Sequence, residues 1–117
     1  MHVLVHLACA PADATRAALG LLVARTALSA GHEVSVFLAG DAVHLLEADS
    51  AASVVGKGTG SAAEHLAAIA EGGGTLWASG RSCEARGIDP SAWLPATAAP
   101  PDRLVELIAT ADRCVTY

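Results

Sequence analysis

Three consecutive stretches decide the fold: His2–Leu7 (HVLVHL), Asp13–Ala30 (DATRAALGLLVARTALSA) and Glu33–Leu38 (EVSVFL). The first is a short β-branched and aliphatic run, and it reads as a strand buried on both faces, because a strand with one wet face would alternate apolar with polar. Pro11 and Asp13 open a helix, with Asp13 as its N-cap, and Gly31 stops it near Ala30. The third stretch is a second strand ending at Gly40. Strand, long helix, strand is the βαβ unit, whose crossover joins parallel neighbours.

Outward from that unit the alternation continues. Asp41 is placed to cap a short helix carrying Val43, Leu45 and Leu46. Ala48 to Gly60 is small, polar and irregular. Ser61-Ala62-Ala63-Glu64 then has the form of a capping box, in which each side chain satisfies a free backbone N–H at a helix start. Ala62, Leu66, Ile69 and Ala70 share one face of that helix. Gly72-Gly73-Gly74 ends it, and Thr75 to Ala78 is a third strand. Pro90, Pro95, Pro100 and Pro101 mark a long connection, with a short fourth strand expected around Trp93 to Ala98. A last helix spans about Asp102 to Ala111, with Leu104, Leu107 and Ile108 inward, and Arg113 to Tyr117 closes as a strand. The expectation is an α/β fold over residues 1–117, one domain, with a mostly parallel sheet of about five strands and helices on both faces.

Composition narrows the function. The 117 residues are 53% hydrophobic but only 3% aromatic, so the core is built of Ala, Leu and Val. Charged residues are 16%, which leaves little polar surface, and a homo-oligomer is the simplest way to cover the remainder. The formal net charge is −5 and Lys57 is the only lysine, so no basic stripe exists for nucleic acid or an anionic membrane surface. The longest apolar stretch, Ala17 to Ala30, is broken by Arg25 and reads as a buried helix and not a membrane span. The N-terminus lacks a basic leader, and three cysteines in no framework spacing suit free thiols in a reducing cytoplasm.

In an open parallel sheet, reactive groups gather beyond the carboxyl ends of strands. The third such connection reads Ser79-Gly80-Arg81-Ser82-Cys83-Glu84-Ala85-Arg86-Gly87, a thiol near the start of a short helix between two arginines. A helix N-terminus and nearby cations both favour thiolate, so Cys83 is expected to have a lowered pKa. Cys9, at the end of the first strand, is a candidate resolving thiol or simply a small apolar strand end. Cys114, inside the last strand, reads as core.

Other patterns carry less. Gly56-Lys57-Gly58-Thr59-Gly60-Ser61 lacks the order of a phosphate loop, and the turn after the first strand contains no glycine for a dinucleotide. His2, His6, His32, His44 and His65 show no ligand spacing, so neither a metal nor a cofactor is expected. No Gly-x-Ser-x-Gly elbow is present.

Taken in order, these stretches resemble the DsrE/DsrF-like family of small α/β proteins, which includes sulfur-relay subunits. The likeness rests on the N-terminal strand and helix, on Val36-Phe37-Leu38-Ala39-Gly40-Asp41-Ala42-Val43 and on Glu64-His65-Leu66. Its strongest part is Gly74-Thr75-Leu76-Trp77-Ala78 followed by Ser79 to Ile88 around Cys83. Leu104-Val105-Glu106-Leu107 and Ala111-Asp112-Arg113 extend it to the end. The resemblance implies a three-layer sandwich, a homotrimer or hexamer, and in sulfur-relay members a cysteine here that carries a persulfide. Many relatives have Cys-x-x-Cys at this place; this chain keeps the second as Cys83 and has Gly80 at the first, which leaves a single-cysteine carrier. On that reading Cys83 accepts sulfane sulfur from a thiol-bearing donor protein and passes it to an acceptor thiol. Arg81 and Arg86 stabilise the anion, Ser82 positions it, and Asp41 and Cys9 border the site. The rival readings are a non-catalytic oligomeric module, binding a small molecule or protein between subunits near Cys83 and Asp41, and a thiol peroxidase using Cys9.

Overall fold

The computed structural model describes all residues 1–117. Its strands are β1 (His2–Leu7), β2 (Glu33–Leu38), the two-residue β3 (Val55–Gly56) and β4 (Gly60–Ser61), β5 (Thr75–Ser79), β6 (Ala96–Ala99) and β7 (Arg113–Thr116). The helices are α1 (Ala14–Ser29), α2 (Ala48–Ser53), α3 (Ala62–Glu71), α4 (Gly80–Arg86) and α5 (Pro101–Thr110), with a 3-10 helix over Gly40–Leu46. Five strands form one sheet in the order β6-β5-β2-β1-β7, parallel throughout. β3 and β4 pair separately as an antiparallel hairpin.

Strand order and crossover handedness together assign the layers. The chain moves from β1 to β2 to β5 to β6 in one direction, so right-handed crossovers put α1, α3 and α4 on the same face. Only the return from β6 to β7 runs the other way, and it carries α5 to the opposite face. The two faces differ accordingly. The first holds a core of 24 buried residues, among them Val5, Leu7, Val34, Val36, Leu38, Leu76 and Ala78, whose alternate positions along each strand point to one side. The second holds only Leu4, Phe37 and Ala99, with Trp77, Leu104, Leu107 and Ala111 packed around them.

Local chemistry explains the element ends. Asp13 Oδ1 accepts from the Arg16 N–H at 3.1 Å and caps α1. Ser61 Oγ accepts from the Glu64 N–H at 3.3 Å and caps α3. Gly87 ends α4 in the left-handed region with φ 64°, a conformation that costs glycine nothing. The β3–β4 hairpin lies on the first turns of α1: the Lys57 N–H donates to Thr15 Oγ1 at 3.1 Å, and the Thr59 hydroxyl donates to the Thr15 carbonyl at 3.1 Å. Buried His65 donates from Nε2 to the Thr59 carbonyl at 2.7 Å.

Four expectations need correction. The irregular stretch Ala48 to Gly60 contains α2 and β3, elements too short for any period to show. Asp41 does not cap the 3-10 helix, whose start has no side-chain cap; its carboxylate is taken by an arginine instead. Cys114 is exposed and not core, because β7 is an edge strand that pairs only with β1 and all four of its residues stay exposed. Ile108 is 49% exposed and not inward, because α5 is the single helix on its face and rests on Leu104 and Leu107.

The contrast between the two faces is measurable by urea denaturation. Leu38→Ala, at a fully buried position, is expected to cost about 2–5 kcal/mol, whereas Ile108→Ala should stay within about 0.5 kcal/mol. Equal losses would mean that α5 is packed as tightly as the first face.

Candidate functional site

All five sheet strands point the same way, so the connections after β1, β2 and β5 meet at one edge. The register sets Leu7 beside Leu38 and Leu38 beside Ala78, which places Cys9, Asp41 and Cys83 a few residues past one common level. The carboxyl edge therefore carries all three groups singled out from the sequence.

Cys83 lies on a short helix, in line with the sequence reading, but one turn past its start. Ser79 accepts from the Ser82 N–H at 3.2 Å and starts α4 one turn before the thiol. Cys83 is thus the fourth residue of a seven-residue helix. Its side chain turns inward and joins the main core with Ala42, Val43, Ile88 and Leu94, and only 3% of the residue is exposed. Burial pushes the thiol pKa up, against the expectation of a lowered value. The Arg86 guanidinium pulls it back down in part, and Asp89 adds to the rise. Desolvation of the anion wins because the thiolate would lose its water on nearly every side, while a single charge at the surface is screened.

The neighbours of Cys83 divide by helical angle. Arg86, three residues on, shares its side of α4. Arg81, two residues back, projects to the other side and lines an open groove of about 430 Å³ with Gly80, Glu84, Pro101 and Asp102. The charges acting on Cys83 are Arg86 and Asp89, and not Arg81. Asp89 escaped sequence reasoning because it lies beyond the helix end, where only the turn at Gly87 brings it back.

Ser82, Arg86 and Asp41 form a connected set. Arg86 donates from Nε at 3.2 Å and Nη2 at 3.0 Å to Asp41 Oδ1, and from Nη1 at 3.1 Å to the Ser82 carbonyl. The Gly40 N–H donates to Ser82 Oγ at 2.9 Å. Sequence spacing offered no hint of this set, since Asp41 and Arg86 are 45 residues apart.

Cys9 is half-buried, and burial and Asp13 raise its pKa against the opposing pull of Arg16 and its own backbone. Its strand and that of Cys83 flank β2 on opposite sides, so the two strand ends stand about 10 Å apart. All three cysteines are free thiols. No three His, Cys, Asp or Glu side chains converge to hold a metal. The glycine-rich stretch around Lys57 is the β3–β4 hairpin.

On the far face of the sheet two further groups are notable. Buried His6 Nε2 and Trp77 Nε1 have no hydrogen-bond partner, and burial lowers the His6 pKa. His6 and Trp77 both face Phe37 across the register, and Arg103 lies 5.0 Å over the Trp77 ring.

The profile of the DsrE/DsrF-like family matches residues 1–117. The chain belongs to this family. The YchN protein from E. coli has the same fold, with a TM-score of 0.79 at 19% identity over 100% of both chains. A conserved protein of unknown function from Bacteroides thetaiotaomicron, BT1422, superposes with a TM-score of 0.72 at 15% identity, covering 98% of this chain and 94% of its own. No curated protein matches. At family level the membership supports a sulfur-relay-type protein. No helix is long and apolar enough to cross a membrane.

The electrostatics of Cys83 make a signed prediction. Alkylation rate against pH, read by peptide mass spectrometry, should give a midpoint above the ordinary thiol value of about 8.5. Arg86→Ala should move it higher still, with the fold intact, because an exposed ion pair contributes little stability. The neutral buried thiol contributes stability that is complete below the ordinary value and is lost as pH rises through the raised one.

Proposed function

We propose that this protein is a cytoplasmic sulfur-relay carrier in which Cys83 holds sulfane sulfur as a persulfide. The observation that carries the reading is the placement of Cys83 on α4, at the carboxyl edge of a parallel sheet, with the Arg86 guanidinium on its own side of the helix. The Cys83 thiol gives up its proton and the sulfur attacks the outer sulfur of a donor protein's persulfide. The donor S–S bond breaks, the donor leaves as a thiolate, and Cys83 becomes Cys83–S–SH. An acceptor thiolate then attacks that outer sulfur and releases Cys83 as thiolate, so no external oxidant or reductant is consumed. A persulfide anion is held by the same cation that favours the thiolate, and that cation is Arg86. The hydroxyl of Ser82 and the backbone N–H groups of α4 orient the helix that carries the sulfur.

The test is intact mass after incubation with a low-molecular-weight persulfide donor. Wild type should gain the mass of one sulfur atom, removable by dithiothreitol, and Cys83→Ser should gain none. Equal loading of the two proteins would assign the sulfur to Cys9 or Cys114 and end this reading.

The working form is proposed to be a homo-oligomer, a trimer or a hexamer. Two observations support it. On the outer side of α1, Leu22, Val23, Ala27 and Ala30, together with Thr26 and His32, line an open groove of about 450 Å³. On the other side of the sheet, Val105 and Ile108 leave 64% and 49% of their surface in water. Light scattering at micromolar concentration and moderate salt should give a mass of at least three chains; a monomer would remove the oligomer from the proposal.

A further inference from the structure

We propose that Asp41 is a positioning residue for Cys83: with Ser82 it latches α4 onto the 3-10 helix, keeps the sulfur covered and neutralises the Arg86 guanidinium until the latch is released. The inference rests on reading Cys83 as the reactive thiol. A carrier must show its sulfur to a partner, yet Cys83 is 3% exposed. The element that bears it has only seven residues, so the thiol is uncovered by a shift of α4 that withdraws Cys83 from its core neighbours.

The geometry shows what holds α4 in place. Ser82 and Arg86 are four residues apart and share the face of α4 that meets the 3-10 helix. Their partners, Gly40 and Asp41, are consecutive. One tie is the Gly40 N–H to Ser82 Oγ at 2.9 Å, and the other is the Arg86 fork on Asp41 Oδ1 at 3.0 and 3.2 Å. The Arg86 bond to the Ser82 carbonyl at 3.1 Å joins the two ties into one clasp. Beyond it the helix ends at Gly87, whose left-handed conformation makes it the natural pivot.

The clasp is built to open. The side chains of Arg86 and Asp41 are 28% and 60% exposed, so the pair contributes little and water replaces either partner readily. A docking protein that offers a carboxylate to Arg86, or a cation to Asp41, competes for the pair directly. Release has a second effect. While Asp41 is bound, its charge offsets the cation beside the thiol, and Asp89 opposes that cation further. Once Asp41 is gone, the guanidinium acts on the sulfur with its full charge. Uncovering and activation therefore come from a single event.

Neutral iodoacetamide measures exposure without involving sulfur transfer. Labelling of wild type, Asp41→Asn and Ser82→Ala is followed by peptide mass spectrometry, with exposed Cys114 as the internal reference. Asp41→Asn should label Cys83 about two- to five-fold faster, the range an exposed ion pair supplies, and should lower the pH midpoint of labelling. Ser82→Ala, which leaves both charges in place, should also speed labelling but without that drop. Cys83 rates in both variants equal to that of wild type, an Asp41→Asn midpoint at the wild-type value, or acceleration shared by Cys114 overturns the latch. Sulfur loading of the wild-type chain is read separately, so a failed latch and a failed carrier give different results.

Discussion

Right-handedness of the crossover between parallel strands is the constraint from which the rest of this molecule follows. With the strands ordered β6-β5-β2-β1-β7, three successive moves in one direction stack α1, α3 and α4 on one face. A single return crossover leaves α5 alone on the other. The parallel direction of all five strands puts their ends at one edge, and so it brings Cys9, Asp41 and Cys83 there from three distant parts of the chain. The crossover rule also sets the unequal thickness of the two layers. One face is a close-packed aliphatic core, and the other is one helix resting on Leu4, Phe37 and Ala99.

At the edge, two opposing effects meet on one sulfur. Burial favours the neutral thiol and Arg86 favours the anion, with burial the larger. For a carrier this balance is useful. A covered, protonated thiol resists adventitious oxidation, since attack on oxidants needs both thiolate character and access. On the proposed reading, the same sulfur would become competent when α4 shifts, because water or a partner's polar groups would then solvate the anion while Arg86 remains nearby. The ion pair to Asp41 is weak enough to yield to docking, which suits a group that must react only in the presence of the right surface.

The fold was legible in the sequence where the physics is local and periodic. Doubly buried strands such as HVLVHL announce a parallel sheet, Asp13 and Ser61 announce helix starts, and the glycines after α1, α3 and α4 announce their ends. The position of Cys83 at the carboxyl edge was legible for the same reason, since it depends only on strand order along the chain. What escaped was whatever depends on the third dimension. Asp41 looks like a cap because it follows a strand and precedes a helix, and nothing in its neighbourhood reveals Arg86. Cys83 looks like a thiol at a helix start because a helix begun by Ser79 and a helix begun nearer the cysteine give similar strings, yet the first turns the sulfur inward. Cys114 looks like core because strand composition does not say whether a strand lies at the sheet edge.

The thin face and the unpaired edge bear on assembly. Buried His6 Nε2 and Trp77 Nε1 lie beneath or beside α5 without partners, and each unmet nitrogen costs on the order of 1–3 kcal/mol. The outer face of α5 meanwhile shows Val105 and Ile108 to water, and β7 offers a free row of backbone groups. A domain that keeps unmet polar atoms and apolar surface on the same side has left its packing incomplete there. With 16% charged residues, the chain has few polar side chains with which to blunt either defect. The groove along α1 adds a second apolar surface on the opposite layer. Apolar surface on both layers is what the proposed homo-oligomer would cover.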